Sequence, residues 1–157
     1  MGRRFRSTER FLQPDPRFRN IVVSKFINNI MHKGKKSVAR EAFYSAMDEI
    51  KAKLPDKDPL EVFNEAINNC KPRLEVRSKR VGGATYQVPV EVNKKRQISL
   101  AMRWLLQAAR AKKGKAMYKC LSEELIAAYN KEGGAIKTKE DTHKMAEANK
   151  AFAHLAW

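Results

Sequence analysis

Apolar residues recur at spacings of three and four over most of the chain, and at a spacing of two only once. From Asn20 onward, Val23, Phe26, Ile27, Ile30 and Met31 form one helical stripe that ends before Gly34. Ser37 is placed to cap a second helix, whose stripe Ala39, Ala42, Phe43, Ala46, Met47 and Ile50 stops before Pro55. Asp58-Pro59-Leu60-Glu61 predicts a third start: a capping acid, proline at the first helical position and glutamate at the capping-box position. Leu60, Phe63, Ile67 and Cys70 continue that helix to near Pro72. The period then changes. Leu74, Val76 and Ser78 alternate with Arg73, Glu75, Arg77 and Lys79. After Gly82-Gly83, Tyr86, Val88, Val90 and Val92 alternate with Gln87, Pro89 and Glu91. Two such runs around a glycine pair predict one hairpin over residues 73–92, and Pro89, which cannot donate to a ladder, suits a ribbon with free edges. An isolated hairpin is marginal in water, so it must lean on helices or on a partner.

Helical spacing returns with Ile98, Ala101, Met102, Leu105 and Ala109, closing at Gly114. Met117, Leu121, Leu125 and Ala128 mark a fifth helix ending at Gly133-Gly134, and residues 139–150 a shorter, polar sixth. The tail AFAHLAW carries apolar residues that must dock somewhere. Residues 1–19 hold six arginines between phenylalanines and prolines, without periodicity, and read as an arm that orders on a partner. The expected fold is mainly α: a single domain of six helices, with a protruding two-stranded β-ribbon between the third and fourth.

Charge changes the picture from fold to function. The 157 residues carry 33 Lys+Arg against 17 Asp+Glu, a net charge of +16. The excess is uneven: net +8 in residues 1–36, +6 in 71–96 and +6 in 97–119, against −3 in 37–70 and −1 in 120–157. Solubility needs only a modest net charge, so the basic blocks read as a composite surface for phosphate. No apolar run approaches the roughly 18 residues of a membrane span, and no short apolar segment follows the basic N-terminus. A soluble, intracellular protein with no membrane association is expected.

Candidate chemistry is sparse. His32, His143 and His154 have no spacing that would assemble a metal site, and no cofactor motif occurs. Cys70 and Cys120 fall near apolar stripes and read as core residues. Glu123-Glu124 reads as a solvated face, since adjacent helical residues diverge. Three clusters favour nucleic acid instead. Lys35 and Lys36 sit at a helix junction, beside backbone amides that attract phosphate. Arg77, Lys79 and Arg80 cluster toward the ribbon turn, with Tyr86 near enough to stack. Arg103, Arg110, Lys112, Lys113, Lys115 and Lys119 follow on the fourth and fifth helices and their turn, with Arg103 and Arg110 on one face. Trp104 is either a core wedge or a stacking platform, the core being favoured. An architectural nucleic-acid-binding protein and an RNA-modifying enzyme are the rival readings.

The strings LQPDPRF (12–18), GKKSVA (34–39), KRVGGATYQVPVEV (79–92), AMRW (101–104) and EDTHKMAEANKAFAHLAW (140–157) closely resemble the bacterial-type small-subunit ribosomal protein seven family. They occur in that family's order and cover essentially the whole chain. The resemblance implies direct binding to the 3′ major domain of 16S rRNA, nucleation of the small-subunit head, and no catalysis. It implies a place at the subunit interface near the E-site tRNA and the mRNA exit path, with small-subunit proteins nine and eleven as neighbours. It further implies a cytoplasmic ribosome, an organellar relative remaining open. Carried onto this sequence, Arg3, Arg4, Arg6 and Arg10 belong to an rRNA-contacting arm. Lys35 and Lys36 belong to the junction contact, and Arg77, Lys79 and Arg80 to the ribbon. Arg96, Arg103, Arg110, Lys112, Lys113 and Lys115 belong to the surface around the fourth helix. Arg80, Gly82, Gly83, Lys144 and Trp157 would face the tRNA and mRNA path. Lys94 and Lys95 match no motif and are left out.

Overall fold

Two of the expected helix starts form as their side chains dictate. Asn20 accepts from the Val22 amide to open α1 (Ile21–Ile30), and Asp58 accepts from the Leu60 amide to open α3 (Pro59–Cys70) with proline at its first position. The computed structural model describes residues 11–155, so Arg3, Arg4, Arg6, Arg10 and Trp157 lie outside the described residues. Between and after these helices come α2 (Lys36–Lys53), β1 (Leu74–Val81), β2 (Ala84–Glu91), α4 (Lys94–Ala111), α5 (Met117–Tyr129) and α6 (Gly134–Ala148). A 3-10 helix, Lys150–Leu155, closes the described chain.

α5 lies at the middle of the bundle, packed against α2, α3 and α4. Leu121, Leu125 and Ala128 are fully buried, as their spacing predicts. Phe26, Phe43 and Phe63, one from each of the first three helices, meet tilted or edge-on with ring centroids 5.2 to 5.8 Å apart. Each such aromatic pair adds about 0.5–1.5 kcal/mol beyond its buried area. Cys70 sits in this core, where burial pushes its thiol up to about 12. It is a packing residue, not a nucleophile. Trp104 is half-buried against the core, so the core placement holds.

Four local expectations need correction. α2 starts at Lys36 with Lys35 at its cap and no capping side chain, and Ser37 lies inside the first turn. Gly133-Gly134 does not end α5 but opens α6, which begins at Gly134 rather than near residue 139. The cause is Glu124. It is buried at 2% exposure, and its carboxylate accepts from the Ala135 amide at 3.0 Å, doing the capping that Gly133 cannot. A Cβ on Gly133, whose φ is +96°, would stand 2.9 Å from Glu124 Oε1, so only glycine fits that approach. Glu124 is therefore no solvated acid beside Glu123.

The arm is also shorter than expected. Asp15 is buried and accepts from the Arg17 and Phe18 amides and, at 2.9 Å, from the Tyr44 hydroxyl. Phe18 packs edge-on against Phe43 and Tyr44, and Arg17 pairs with Asp48 of α2. Residues 15–18 thus belong to the body.

The ribbon forms where expected, in the antiparallel register Glu75↔Val90, Arg77↔Val88 and Lys79↔Tyr86. Paired residues share a face, so the apolar side of β2 is joined by the charged side of β1. The ribbon does not stand alone. The Arg73 amide donates to His143 Nε2 of α6 at 3.0 Å, Tyr86 packs on Phe152 with centroids 5.3 Å apart, and Lys79 Nζ donates to the Leu155 carbonyl at 2.9 Å. The described part of the tail docks on β2, and Tyr86 is held by Phe152 instead of being left free to stack on a base.

Candidate nucleic-acid interface

A helix N-terminus carries a positive partial charge and ordinarily gathers acids. Of the six α-helices among the described residues, α3 alone has an acid in its first turn, Glu61. α2 opens on Lys35-Lys36, α4 on Lys94-Lys95-Arg96, and α5 follows Lys112, Lys113 and Lys115 in the preceding turn. Each cation placed against a dipole this way opposes folding by a few tenths of a kcal/mol to about 1 kcal/mol. A polyanion laid across these ends would relieve all of them together.

The cations fall into two kinds. Lys35, Lys36, Arg103 and Lys113 are exposed and enter no ion pair among the described residues. Arg103 shares a groove of about 410 Å³ between α1 and α4 with Arg110, Asn29 and Gln107, which confirms that both arginines occupy one face. Others are tied into the fold. Arg110 Nη2 donates to the Ile30 carbonyl at 3.1 Å and so closes the C-terminal end of α1. Lys112 Nζ lies 3.2 Å from Glu124 and 3.7 Å from Glu123, and Lys115 Nζ lies 2.6 Å from Glu123. Lys115, through that hydrogen bond, holds the Glu123 carboxyl below the usual range.

At the root of the ribbon, Glu75 is buried at 7% exposure between two arginines. Arg77 Nε and Arg96 Nε donate to its two oxygens at 2.7 and 2.6 Å. Burial would push this carboxyl up, but the hydrogen bonds from Arg96 and Arg77 outweigh it and the net shift is downward. Arg77 and Arg96 therefore join β1 to the first turn of α4, their guanidinium groups half exposed beyond the joint. Among the described residues of the ribbon, Arg80 reaches the tip exposed and without an ion pair, beside Gly82 and Gly83, which turn the chain with φ of +57° and +89°. Lys144 is exposed on α6.

Three further cations stand beside these helix starts that the expected contacts did not include. Lys94 and Lys95 directly follow the Asn93 cap, and a run of three cations there was itself the signal. Arg40, one turn beyond Lys36, lines with it a polar cavity of about 490 Å³ that also meets Gln13 and Ser24. The i, i+4 spacing from Lys36 could have found it.

His143 carries a pH signature. Its Nε2 must be unprotonated to accept from Arg73, and burial, then the charges of Lys139 and Arg73, lower its pKa from the ordinary value of 6.5. A histidine kept neutral by the fold lends stability that is complete above about 6.5 and is lost as pH falls from there through its depressed folded value. In urea unfolding, the parent is expected to weaken between about pH 7 and pH 5 more than His143→Gln does. Equal slopes would show that the Arg73 contact carries no linkage.

No group of three His, Cys, Asp or Glu able to hold a metal occurs among the described residues, and no described helix is long and apolar enough to cross a membrane. The arrangement offers charge, shape and hydrogen-bond donors. Comparison with known proteins agrees with that chemistry. A family profile described as "Ribosomal protein S7p/S5e" matches residues 2–150. The chain is 58% identical over 155 residues to the small ribosomal subunit protein uS7 of Thermotoga maritima, covering 99% of both chains. It is 53% identical to that of Anaeromyxobacter sp. (strain K) and 49% identical to that of Desulfotalea psychrophila, over 157 residues and the full length of each. With its helical body, its ribbon between α3 and α4, and a match over nearly its whole length, the chain belongs to the ribosomal protein S7p/S5e family.

Proposed function

We propose that this chain is an RNA-binding structural constituent of the small ribosomal subunit, acting by binding and not by catalysis. The observation that carries the reading is the set of cationic helix starts at α2, α4 and α5, where exposed lysines and arginines stand against the helix dipoles. Folded RNA is read largely through its backbone and shape, which is what fixed cations on a rigid bundle can match. The RNA is the 3′ major domain of 16S rRNA, whose capture nucleates the head of the subunit. Lys35, Lys36, Arg103 and Lys113 supply the body contacts, with Arg96, Arg110, Lys112 and Lys115 lending donors left over from their structural bonds. Arg3, Arg4, Arg6 and Arg10 extend that surface as an arm. Arg80, Gly82, Gly83, Lys144 and Trp157 face the E-site tRNA and the mRNA exit path, and small-subunit proteins nine and eleven are the protein neighbours.

A transcript of that rRNA domain tests the reading. If about 6–10 phosphates are neutralised, affinity should fall by roughly three to five orders of magnitude between about 50 and 200 mM salt, on a scale set by duplex DNA. Duplex DNA should compete poorly. Equal competition by DNA would favour a general architectural protein, and an affinity indifferent to salt would reject the cationic surface altogether.

A further inference from the structure

An apolar cleft opens among the cations. It has a volume of about 370 Å³, at the small end of ligand-sized clefts of roughly 300–1,000 Å³. Ile30, Val38, Ala42 and Met117 supply its apolar lining, where the end of α1, the start of α2, the end of α4 and the start of α5 surround it. Lys35 and Arg110 stand on its rim, and no carboxylate lines it. Val38 is 59% exposed, so its methyls stand open at the mouth of the cleft. Beside it, the N-terminus of α2 has no capping side chain; the Lys36 amide turns back to the Gly34 carbonyl at 2.9 Å, and the Ser37 and Val38 amides follow it without such a partner, with Lys35 and Lys36 around them.

The geometry points to a subsite for one unstacked RNA nucleobase, seated on Val38, Ala42 and Met117, with its phosphate at the open N-terminus of α2 between Lys35 and Arg110. This inference rests on the rRNA-binding reading and adds to it a place where a base, and not only the backbone, is held. Charge decides the occupant. A cationic rim suits a strand that carries a phosphate beside every base, whereas an apolar protein segment would leave Lys35 and the α2 amides unmatched. The Met117 thioether and the Val38 methyls offer polarisable contact to an aromatic face. Base insertion of this kind is how proteins seize single-stranded loops and junctions in folded RNA.

Two measurements on the whole protein test this. In methyl NMR spectra, the Val38 and Met117 methyl signals should move upfield on adding the rRNA transcript, through the ring current of the seated base. Polyphosphate, a base-free polyanion, should leave them in place. Separately, Val38→Gln keeps the charge and sits on an exposed position of α2. It should weaken transcript binding about ten-fold with an unchanged salt slope, whereas Lys35→Ala should lower that slope by about one. Transcript binding without methyl shifts, shifts equally produced by polyphosphate, shifts produced only by other small-subunit proteins, or parental affinity in Val38→Gln would each overturn the base subsite while leaving the rRNA reading standing. Failure to bind the transcript at all would overturn the rRNA reading, and the subsite with it.

Discussion

Glu124→Ala is expected to destabilise the protein by about 3 kcal/mol, because three losses coincide. The Ala135 amide loses its buried acceptor, Lys112 loses a partner, and a cavity opens beneath Gly133. Lys112 is one-third exposed and can turn to water, so the orphaned amide and the cavity dominate. For a chain of this length the change corresponds to a fall in Tm of roughly 6–12 °C. Glu124→Gln separates the parts. Its amide oxygen can still accept from Ala135, so the variant should lose only about 1 kcal/mol, with the Ala135 amide still protected from hydrogen exchange. If Gln and Ala prove equally harmful, the ion pair rather than the cap is what matters.

Replacing Lys35, Lys36, Arg103 and Lys113 together with Ala should lower affinity for the rRNA transcript on the order of a thousandfold, each lost charge-assisted contact weakening binding by roughly tenfold or somewhat less. The salt slope should fall by about four. These side chains are exposed and bear no structural ion pair, so thermal stability should not fall, and should rise slightly as Lys35, Lys36 and Lys113 cease to oppose the dipoles of α2 and α5. Arg110 is excluded from the set because its bond to Ile30 would mix folding with binding. In contrast, shortening the Arg80–Ala84 tip should spare transcript binding and act on tRNA or mRNA in the assembled subunit. Loss of transcript binding in the tip variant, with parental binding in the body variant, would reverse the assignment of roles.

The helical body was legible because its signals are local. Val23, Phe26, Ile27 and Ile30 declare a buried face by spacing alone, and Asp58-Pro59 declares a helix start within two residues. The ribbon was legible as an element but not in its register, because alternation gives each strand two faces without saying which face of β1 meets which of β2. That register placed Glu75 indoors, opposite Val90, and made Arg77 part of a joint. Glu124 failed for a similar reason. Nothing near it in sequence shows that an amide from the next helix will descend on it. The basic regions were visible from composition, but which cations stay free depends on partners brought from afar, such as Glu123 for Lys115 and the end of α1 for Arg110.

The docking of the ribbon against the closing 3-10 helix sets an order in time. Lys79 and the Leu155 carbonyl it binds are 76 positions apart. At about 5–20 residues per second, the chain that clasps the ribbon is made roughly 4–15 s after Lys79. Until then β1 and β2 are a two-stranded hairpin with Tyr86 uncovered, marginal in water and with open edges. The bundle of α1 to α5 can close first, since its partners are already synthesised, while the tip acquires its fixed direction only when Phe152 arrives. A nascent chain therefore gains its body surface seconds before it gains a settled ribbon.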